Sequence, residues 1–254
     1  MEKILQLTDT HLFADGEGAL RGTRTAATLS KVLEHVHAHH SDASCLMVTG
    51  DLVQQETLEA YQHFIQFFGG FQVPVLCLPG NHDDPALMRQ ALDRAPFHLA
   101  SHFSLSSWDI VQLDSHLPGS AAGELTDASL EELAAILKTN RPRPTLVAVH
   151  HQPRPVGTAW LDGVGLRNGE ALLNCLEGHD HARALIWGHV HQASRMEHRH
   201  IKLLGTPSTC AQFLPGSVDF AIDPEAPPAY RVLWLGDDGQ LDDELIELPQ
   251  AADR

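Results

Sequence analysis

The feature that most constrains this chain is its alternation of short apolar runs with amphipathic helical patterns, starting at residue 4. Parallel strands need crossovers that are usually helices, and strands covered on both faces read as continuous apolar runs. Residues 4–8 predict a strand, and residues 24–40 a helix with Leu29, Val32, Leu33 and Val36 on one face. Cys45–Thr49 predicts a second strand, followed by a helix over residues 57–68 that stops at Gly69-Gly70. Val75–Leu78 is a third strand, with a short helix after Asp84-Pro85, and residues 108–114 are a fourth. Residues 126–139 predict a helix that turns Leu130, Leu133, Ile136 and Leu137 inward. Thr145–Val149, 184–187 and 201–204 are further strands, with a helix over 169–176 among them. The tail, 230–235 and 241–248 around Gly236-Asp237-Asp238-Gly239, predicts a closing hairpin. The Pro-rich stretches 141–144 and 224–228 read as loops, and no repeat, low-complexity tract or long linker divides the chain. The expectation is one α/β domain over residues 1–254, layered as a sandwich, with residues from about 214 onward closing the sheet.

Nearly every predicted strand runs into residues that bind metals. The first leads to Asp9-Thr10-His11, the second to Gly50-Asp51 and the third to Gly80-Asn81-His82-Asp83. Later strands lead to His150-His151 and to Gly188-His189-Val190-His191. In α/β sheets, ligands bind in the crevice beyond the carboxyl ends of strands. Residues two apart converge on an extended chain and diverge on a helix, so Asp9 with His11, and His189 with His191, predict extended backbone at those ends. Gly50, Gly80 and Gly188 are expected to let the chain turn sharply there. Mixed carboxylate, imidazole and amide-carbonyl ligands suit Mn, Fe or Zn better than Ca. Asp51, alone after its strand and central in the series, is the candidate to bridge two ions about 3.5–4 Å apart.

Composition excludes several classes. A formal net charge of -16 leaves no basic stripe for a nucleic-acid backbone, although bound metals reverse the sign locally for a phosphate. No apolar run reaches the ~18 residues of a membrane span, and the first residues do not read as a signal peptide. Cys45, Cys77, Cys175 and Cys210 are widely spaced and form no C-x-x-C pair, and three of them sit in apolar or small-residue surroundings that read as reduced, buried thiols, so the cytoplasm is the expected compartment. The sequence is silent on oligomeric state.

The motifs D-x-H, G-D, G-N-H-D, H and G-H-x-H, in that order from Asp9 to His191, resemble the calcineurin-like metallophosphoesterase superfamily. That resemblance implies a two-sheet β sandwich flanked by helices. It implies Asp9, His11 and His191 on one divalent ion, Asn81, His150 and His189 on the other, and Asp51 bridging them. His82 is implied to stand beside the phosphate without binding metal. Residues 7–13 and 60–64, Trp160-Leu161-Asp162, Leu166-Arg167-Asn168 and residues 205–213 are similar to bacterial class III 3′,5′-cyclic AMP phosphodiesterases. Those stretches carry the likeness to about Phe213, and nothing is carried onto the last forty or so residues. What the likeness implies is hydrolysis of 3′,5′-cyclic AMP to 5′-AMP by a metal-bridging hydroxide, with two Fe²⁺ or Mn²⁺ ions, Zn²⁺ being the alternative. Asn81, His82, Arg167, Asn168 and His191 are the expected substrate contacts, with Trp160 and Phe213 as candidates to stack a purine.

Other residues have plainer readings. His151 competes with His150, and neighbours on a strand point to opposite faces, so only one is expected to bind metal. His35, His37, His39 and His40 crowd the end of a helix, where imidazolium is mildly favourable. His179 and His181 precede their strand, His198 and His200 flank a turn at Arg199, and Cys210 has no positioned base. A broader phosphodiesterase, a nucleotide pyrophosphatase or a phosphomonoesterase shares the metal core. A non-catalytic histidine-rich metal-binding protein requires neither His82 nor Asn81.

Overall fold

The computed structural model describes residues 1–139 and 142–249, so Arg141 of the Pro-rich stretch lies outside the described residues. β1 (Glu2–Leu7), a small ribbon of β2 (Ala19–Leu20) and β3 (Thr23–Arg24), α1 (Thr25–His39) and β4 (Cys45–Thr49) come first. Then follow α2 (Leu58–Phe68), β5 (Val75–Leu78), α3 (Pro85–Leu92), β6 (Phe97–His98), β7 (His102–Ser104) and β8 (Asp109–Leu113). Next are α4 (Asp127–Thr139), β9 (Thr145–Val149), α5 (Ala159–Asp162), α6 (Gly169–Glu177) and β10 (Ala182–Trp187). The remainder is β11 (Ser194–His198), β12 (Ile201–Gly205), a ribbon of β13 (Gln212–Phe213) and β14 (Ile222–Asp223), β15 (Ala229–Leu235) and β16 (Leu241–Glu247).

Two six-stranded sheets result, ordered β16-β15-β1-β4-β5-β6 and β11-β12-β10-β9-β8-β7. β1, β4, β5 and β6 run parallel, as do β8, β9, β10 and β12, so each series delivers its carboxyl ends to one edge. The tail hairpin joins the first sheet, with β15 antiparallel to both β1 and β16. The apolar runs are continuous because both faces of each sheet are covered. Ile4, Met47, Ile110, Leu146 and Ile186 fill the space between the sheets. Leu5, Leu7 and Val48 pack outward against Leu29, Val36 and Phe64 of α1 and α2. On the opposite side, Val147 and Leu185 meet Leu133, Leu137, Leu172 and Leu176 of α4 and α6. The fold is therefore the expected α/β sandwich of two sheets flanked by helices. No helix among the described residues is long and apolar enough to cross a membrane.

The helices that set the site start where their side chains satisfy the first free amides. Thr57 accepts from Ala60 N at the start of α2, and Asp84 accepts from Ala86 N and Leu87 N at the start of α3, with Pro85 in the first turn. The four cysteines are free, three of them buried. Several elements were not legible in advance. β11 is a solvent-side strand with no apolar run, paired antiparallel with β12 about a turn in which Arg199 has φ 57°. The β2–β3 and β13–β14 ribbons have only two residues per strand and so no periodicity to read.

Behind the site a buried polar network ties the sheets together. Gln6 of β1 donates to Thr49 Oγ1 at 3.0 Å and to Trp187 O at 3.1 Å, and accepts from Thr206 Oγ1 at 2.7 Å. Arg231 of β15 donates from Nε to Thr206 Oγ1 at 3.0 Å and from Nη2 to Gly205 O at 2.8 Å, and pairs with Asp243 of β16. Each partner lies in the other's desolvated surroundings, where an unmade hydrogen bond costs most.

Candidate active site

The loops beyond β1, β4, β5, β9 and β10 meet at one edge of the two sheets, and their backbone differs from the extended chain expected there. Asp9, His11, Asp51, His189 and His191 all have positive φ, between 43° and 64°. For residues other than glycine this left-handed conformation is uncommon and has to be held by surrounding contacts. The holding groups are visible. Asp9 N donates to Gly50 O at 3.0 Å, His11 N to Asp51 O at 2.9 Å, and Gly188 N to His150 O at 3.1 Å. Asp9 is further fixed by Thr8 Oγ1 at 2.7 Å and His189 N at 3.0 Å on its carboxylate, and by Ser208 Oγ on its carbonyl at 2.7 Å.

The glycines are needed more for closeness than for turning. Gly50 alone of the three has positive φ, 97°. A Cβ at Gly80 would lie 2.1 Å from Asp51 Oδ1, one at Gly188 2.0 Å from Thr8 Oγ1, and one at Gly50 2.2 Å from His150 Nδ1. The loops interlock at distances no side chain permits.

The side chains form two groups. Asp9 Oδ1 lies 3.3 Å from His191 Nε2, and His191 Nε2 lies 3.2 Å from His11 Nε2. In the second group His150 Nε2 is 3.3 Å from Asn81 Oδ1, and the His150 and His189 rings are 5.1 Å apart. Asp51 stands between them, with Oδ1 3.4 Å from His150 Nε2 and Oδ2 3.5 Å from His11 Nε2. His82 adjoins this bridge. Its backbone N–H donates to Asp51 Oδ1 at 2.8 Å, its ring meets His11 edge-on at 5.1 Å, and its Nδ1 is 3.2 Å from Gln54 Nε2.

The alternation expected for His150 and His151 does not apply, because both lie beyond the end of β9. Their rings touch at 4.9 Å, and His151 shares a group of close nitrogens with His150 and His189. Hydrogen bonding distinguishes them. His151 has Ser115 Oγ on Nδ1 at 2.8 Å and Ala121 O near Nε2 at 3.2 Å, both outside the two groups, whereas His150 has Thr49 O on Nδ1 at 2.8 Å and turns Nε2 to Asn81 Oδ1 and Asp51 Oδ1. Arg167 and Asn168 are not brought to the site. Arg167 faces Glu124 at 3.4 Å, half exposed, and the Asn168 amide is spent on the backbone of Leu125 at 3.0 and 2.8 Å.

Residues missed from sequence support this arrangement. Asp83 accepts from Gly80 N at 2.9 Å, Leu52 N at 3.1 Å and Tyr61 Oη at 3.1 Å, pinning the loop that presents Asn81 and His82. Burial pushes its carboxyl up to about 7, with the Asp51 charge adding to the shift and the amides opposing it. The signal for Asp83 lay in the G-N-H-D motif. Tyr61 lay within residues 60–64 of the resemblance, with nothing to point to its hydroxyl.

The proposed bystanders lie elsewhere. His35 meets Tyr230 Oη at 2.7 Å and stacks on His39 at 4.1 Å, and His37 stacks on Phe71 at 4.8 Å. His179 and His181 precede β10 and are at the opposite end of that strand from His189. His198 contacts Glu177 at 3.0 Å.

The calcineurin-like phosphoesterase family model matches residues 2–193, which contain every strand end described above. The chain belongs to the calcineurin-like phosphoesterase family. Among curated relatives, it is 38% identical to the 3′,5′-cyclic adenosine monophosphate phosphodiesterase CpdA of Pseudomonas aeruginosa, covering 94% of this chain and 87% of that one. It is 40% identical to the CpdA of Escherichia coli K12, covering 97% and 90%. Among solved structures, a dimetal phosphatase from Danio rerio superposes with a TM-score of 0.62 at 16% identity, covering 97% and 98%, which shows the shared fold.

As a member of this phosphoesterase family the chain is a metal-dependent enzyme, and its site fits a pair of divalent ions. The donors are of the right chemistry: carboxylates, imidazoles and an amide carbonyl. His11 Nδ1 and His189 Nε2 are buried without a hydrogen-bond partner. Burial pushes both imidazoles down to about 3, so they offer neutral lone pairs. Burial would raise the carboxyls of Asp9 and Asp51. The imidazoles outweigh it and hold them below the usual range, His191 chiefly for Asp9 and His150 for Asp51. His150 is opposed by burial but raised to about 9 by Asp51, a proton that metal binding would displace.

Beside the two groups opens a cavity of about 370 Å³. Asp51, Asn81, His82, His189 and His191 form its floor, and Arg21, Trp160, Phe213 and Phe220 are among its walls.

Proposed function

We propose that this site hydrolyses 3′,5′-cyclic AMP to 5′-AMP, with Asp9, His11 and His191 holding one divalent ion, Asn81, His150 and His189 the other, and Asp51 between them. The observation that carries the reading is the two-sided placement of Asp51, each of whose oxygens faces a different group of ligand atoms. The substrate follows from relatives of 38–40% identity that bear the cyclic AMP phosphodiesterase name. Mixed oxygen and nitrogen donors favour Fe²⁺ or Mn²⁺, with Zn²⁺ the alternative. Two such ions supply the acidity that generates a nucleophile from water at neutral pH and the charge that a phosphorane-like transition state needs.

The chain's own residues then act as follows. Asn81 and His191 line the floor where the ester phosphate lies, and His82 stands beside it. With the Gln54 amide donating to His82 Nδ1, the imidazole proton sits on Nε2, available to the phosphate or to the departing 3′ oxygen. Thr49 O fixes His150 through Nδ1 and Ala211 O fixes His191 through Nδ1 at 2.6 Å, which leaves Nε2 of each for a metal. The C-terminal hairpin, hydrogen-bonded to β1, supports reading the chain as one domain.

Metal-replete protein should convert cyclic AMP to 5′-AMP, identified by chromatography, faster than it hydrolyses a linear diester or a monoester. A strong chelator should abolish turnover and Mn²⁺ or Fe²⁺ should restore it. Faster monoester hydrolysis would remove the substrate assignment, and undiminished turnover in metal-free protein would remove the metal one.

A further inference from the structure

The residues proposed for the metals, together with His82, account for the phosphate end of the substrate and leave Arg21 and Phe220 of the cavity without a role. Arg21 is the one lysine or arginine, among the described residues, that lines this cavity. It occupies the turn of the β2–β3 ribbon, with φ 50° and Gly22 following at φ 89°. Its guanidinium carbon lies 4.6 Å from the centroid of the Phe220 ring. Phe220 sits in the loop of the β13–β14 ribbon and is 44% exposed, unusual for a large aromatic in a well-covered fold. Two ribbons from distant parts of the chain thus meet over the cavity mouth.

Phe220 continues an aromatic wall that starts at the metal site. Phe213 stacks on His191 at 4.1 Å and 18°, Trp160 meets Phe213 edge-on at 5.0 Å, and Phe220 meets Trp160 at 5.1 Å. The wall is held in shape. Trp160 Nε1 donates to Ser217 Oγ at 3.2 Å, and Gly216 N donates to Thr158 Oγ1 at 3.0 Å. A ligand whose phosphate lies at Asp51 and His191 therefore has aromatic rings along one side and, at the far end, a guanidinium. A cyclic diester carries one negative charge where a monoester carries nearly two, so a bare metal pair does not favour it. Preference has to come from contacts to the rest of the molecule.

We propose that Arg21 and Phe220 form the nucleobase clamp of this site and determine its specificity: a purine lies against the Phe220–Trp160 wall and its ring nitrogens accept from Arg21. This rests on the cyclic nucleotide reading above. Arginine presents several donors in a fixed plane and a purine edge presents ring-nitrogen acceptors, so a guanidinium lying over Phe220 has donors left for the base. Arg21 takes the place expected from sequence for Arg167, which faces Glu124 instead.

The test compares cyclic AMP with the base-free 3′,5′-cyclic phosphate of 1-deoxyribose, using metal-replete parent, Arg21→Ala and Phe220→Ala. Losing one base-stacking partner typically weakens binding roughly 5- to 150-fold. Each variant should therefore lose kcat/KM on cyclic AMP by about that factor, mainly through KM, and stay within about twofold of the parent on the base-free ester. Arg21→Lys should fall with Arg21→Ala, because an ammonium lacks the planar fork. Equal losses on both esters, or unchanged cyclic AMP turnover, would overturn the clamp. Parent protein that hydrolyses the base-free ester as efficiently as cyclic AMP would overturn it too, with the phosphodiesterase reading intact. Parent protein inactive on both cyclic esters but active on a monoester would remove that reading and the clamp with it. Arg21 and Phe220 are exposed, and unchanged thermal unfolding and metal content in the variants tie any loss to recognition.

Discussion

His82 carries two jobs in two different parts of the residue. Its backbone N–H holds the Asp51 carboxylate, while its ring faces the cavity with Gln54 on Nδ1. The peptide contact survives substitution of the side chain by any residue but proline, so the two can be separated. His82→Ala should keep near-normal metal content by elemental analysis and lose kcat by about 10²–10⁴-fold, the usual range for a positioned proton donor. Loss of metal together with rate would instead place His82 among the ligands. The same scale accounts for Arg167 and Asn168, which do not line the cavity: Glu124 and the Leu125 backbone use their polar atoms. A motif names residue types, but the partner that satisfies each one is a fact of packing.

At the scale of elements, the loop between β5 and α3 is the piece that turns a strand end into a site. It is fastened from both sides, by Asp83 to Gly80, Leu52 and Tyr61, and by Asp84 to Ala86 N at 2.8 Å and Leu87 N at 2.9 Å. Tyr61 Oη also accepts from Asp84 N at 3.0 Å, so α2 and α3 are joined through this turn. Asp84→Ala removes an N-cap and should lower stability by about 0.5–2 kcal/mol in urea unfolding. It should also slow turnover, since the cap and the loop bearing Asn81 and His82 share one backbone. A stability loss with wholly unchanged kcat and KM would show that the loop holds its shape without α3.

For the whole molecule, the decisive arrangement is that two sheets present their strand ends at a common edge. The apolar layer between them supplies attraction without direction, whereas Gln6, Thr206 and Arg231 tie particular strand ends together. Removing one partner of a buried charged pair typically costs about 3–5 kcal/mol, because the other is left uncompensated. Arg231→Met should destabilise by about that much, toward the lower end because Asp243 keeps Arg195. Thermal or urea unfolding of the metal-replete protein measures it. A cost below about 1 kcal/mol would mean that the apolar layer alone sets how the sheets meet.

The main strands and helices were legible in the sequence within a residue or two, because burial on both faces of a sheet leaves a continuous apolar run, and on one face of a helix a stripe. The placement of Asp9, Asp51, Asn81, His150, His189 and His191 just beyond strand ends was legible for the same reason, since those runs stop where the residues begin. Three things were decided only by the tertiary structure. The left-handed backbone at Asp9, His11, Asp51, His189 and His191 comes from hydrogen bonds between loops far apart in sequence. The different hydrogen bonding of His150 and His151 comes from Ser115 and Ala121, which no pattern links to His151. The meeting of Arg21 with Phe220 joins two ribbons too short to leave a period. Periodicity records which face of an element is buried, while these contacts depend on which elements become neighbours, and that is fixed only when the whole chain packs.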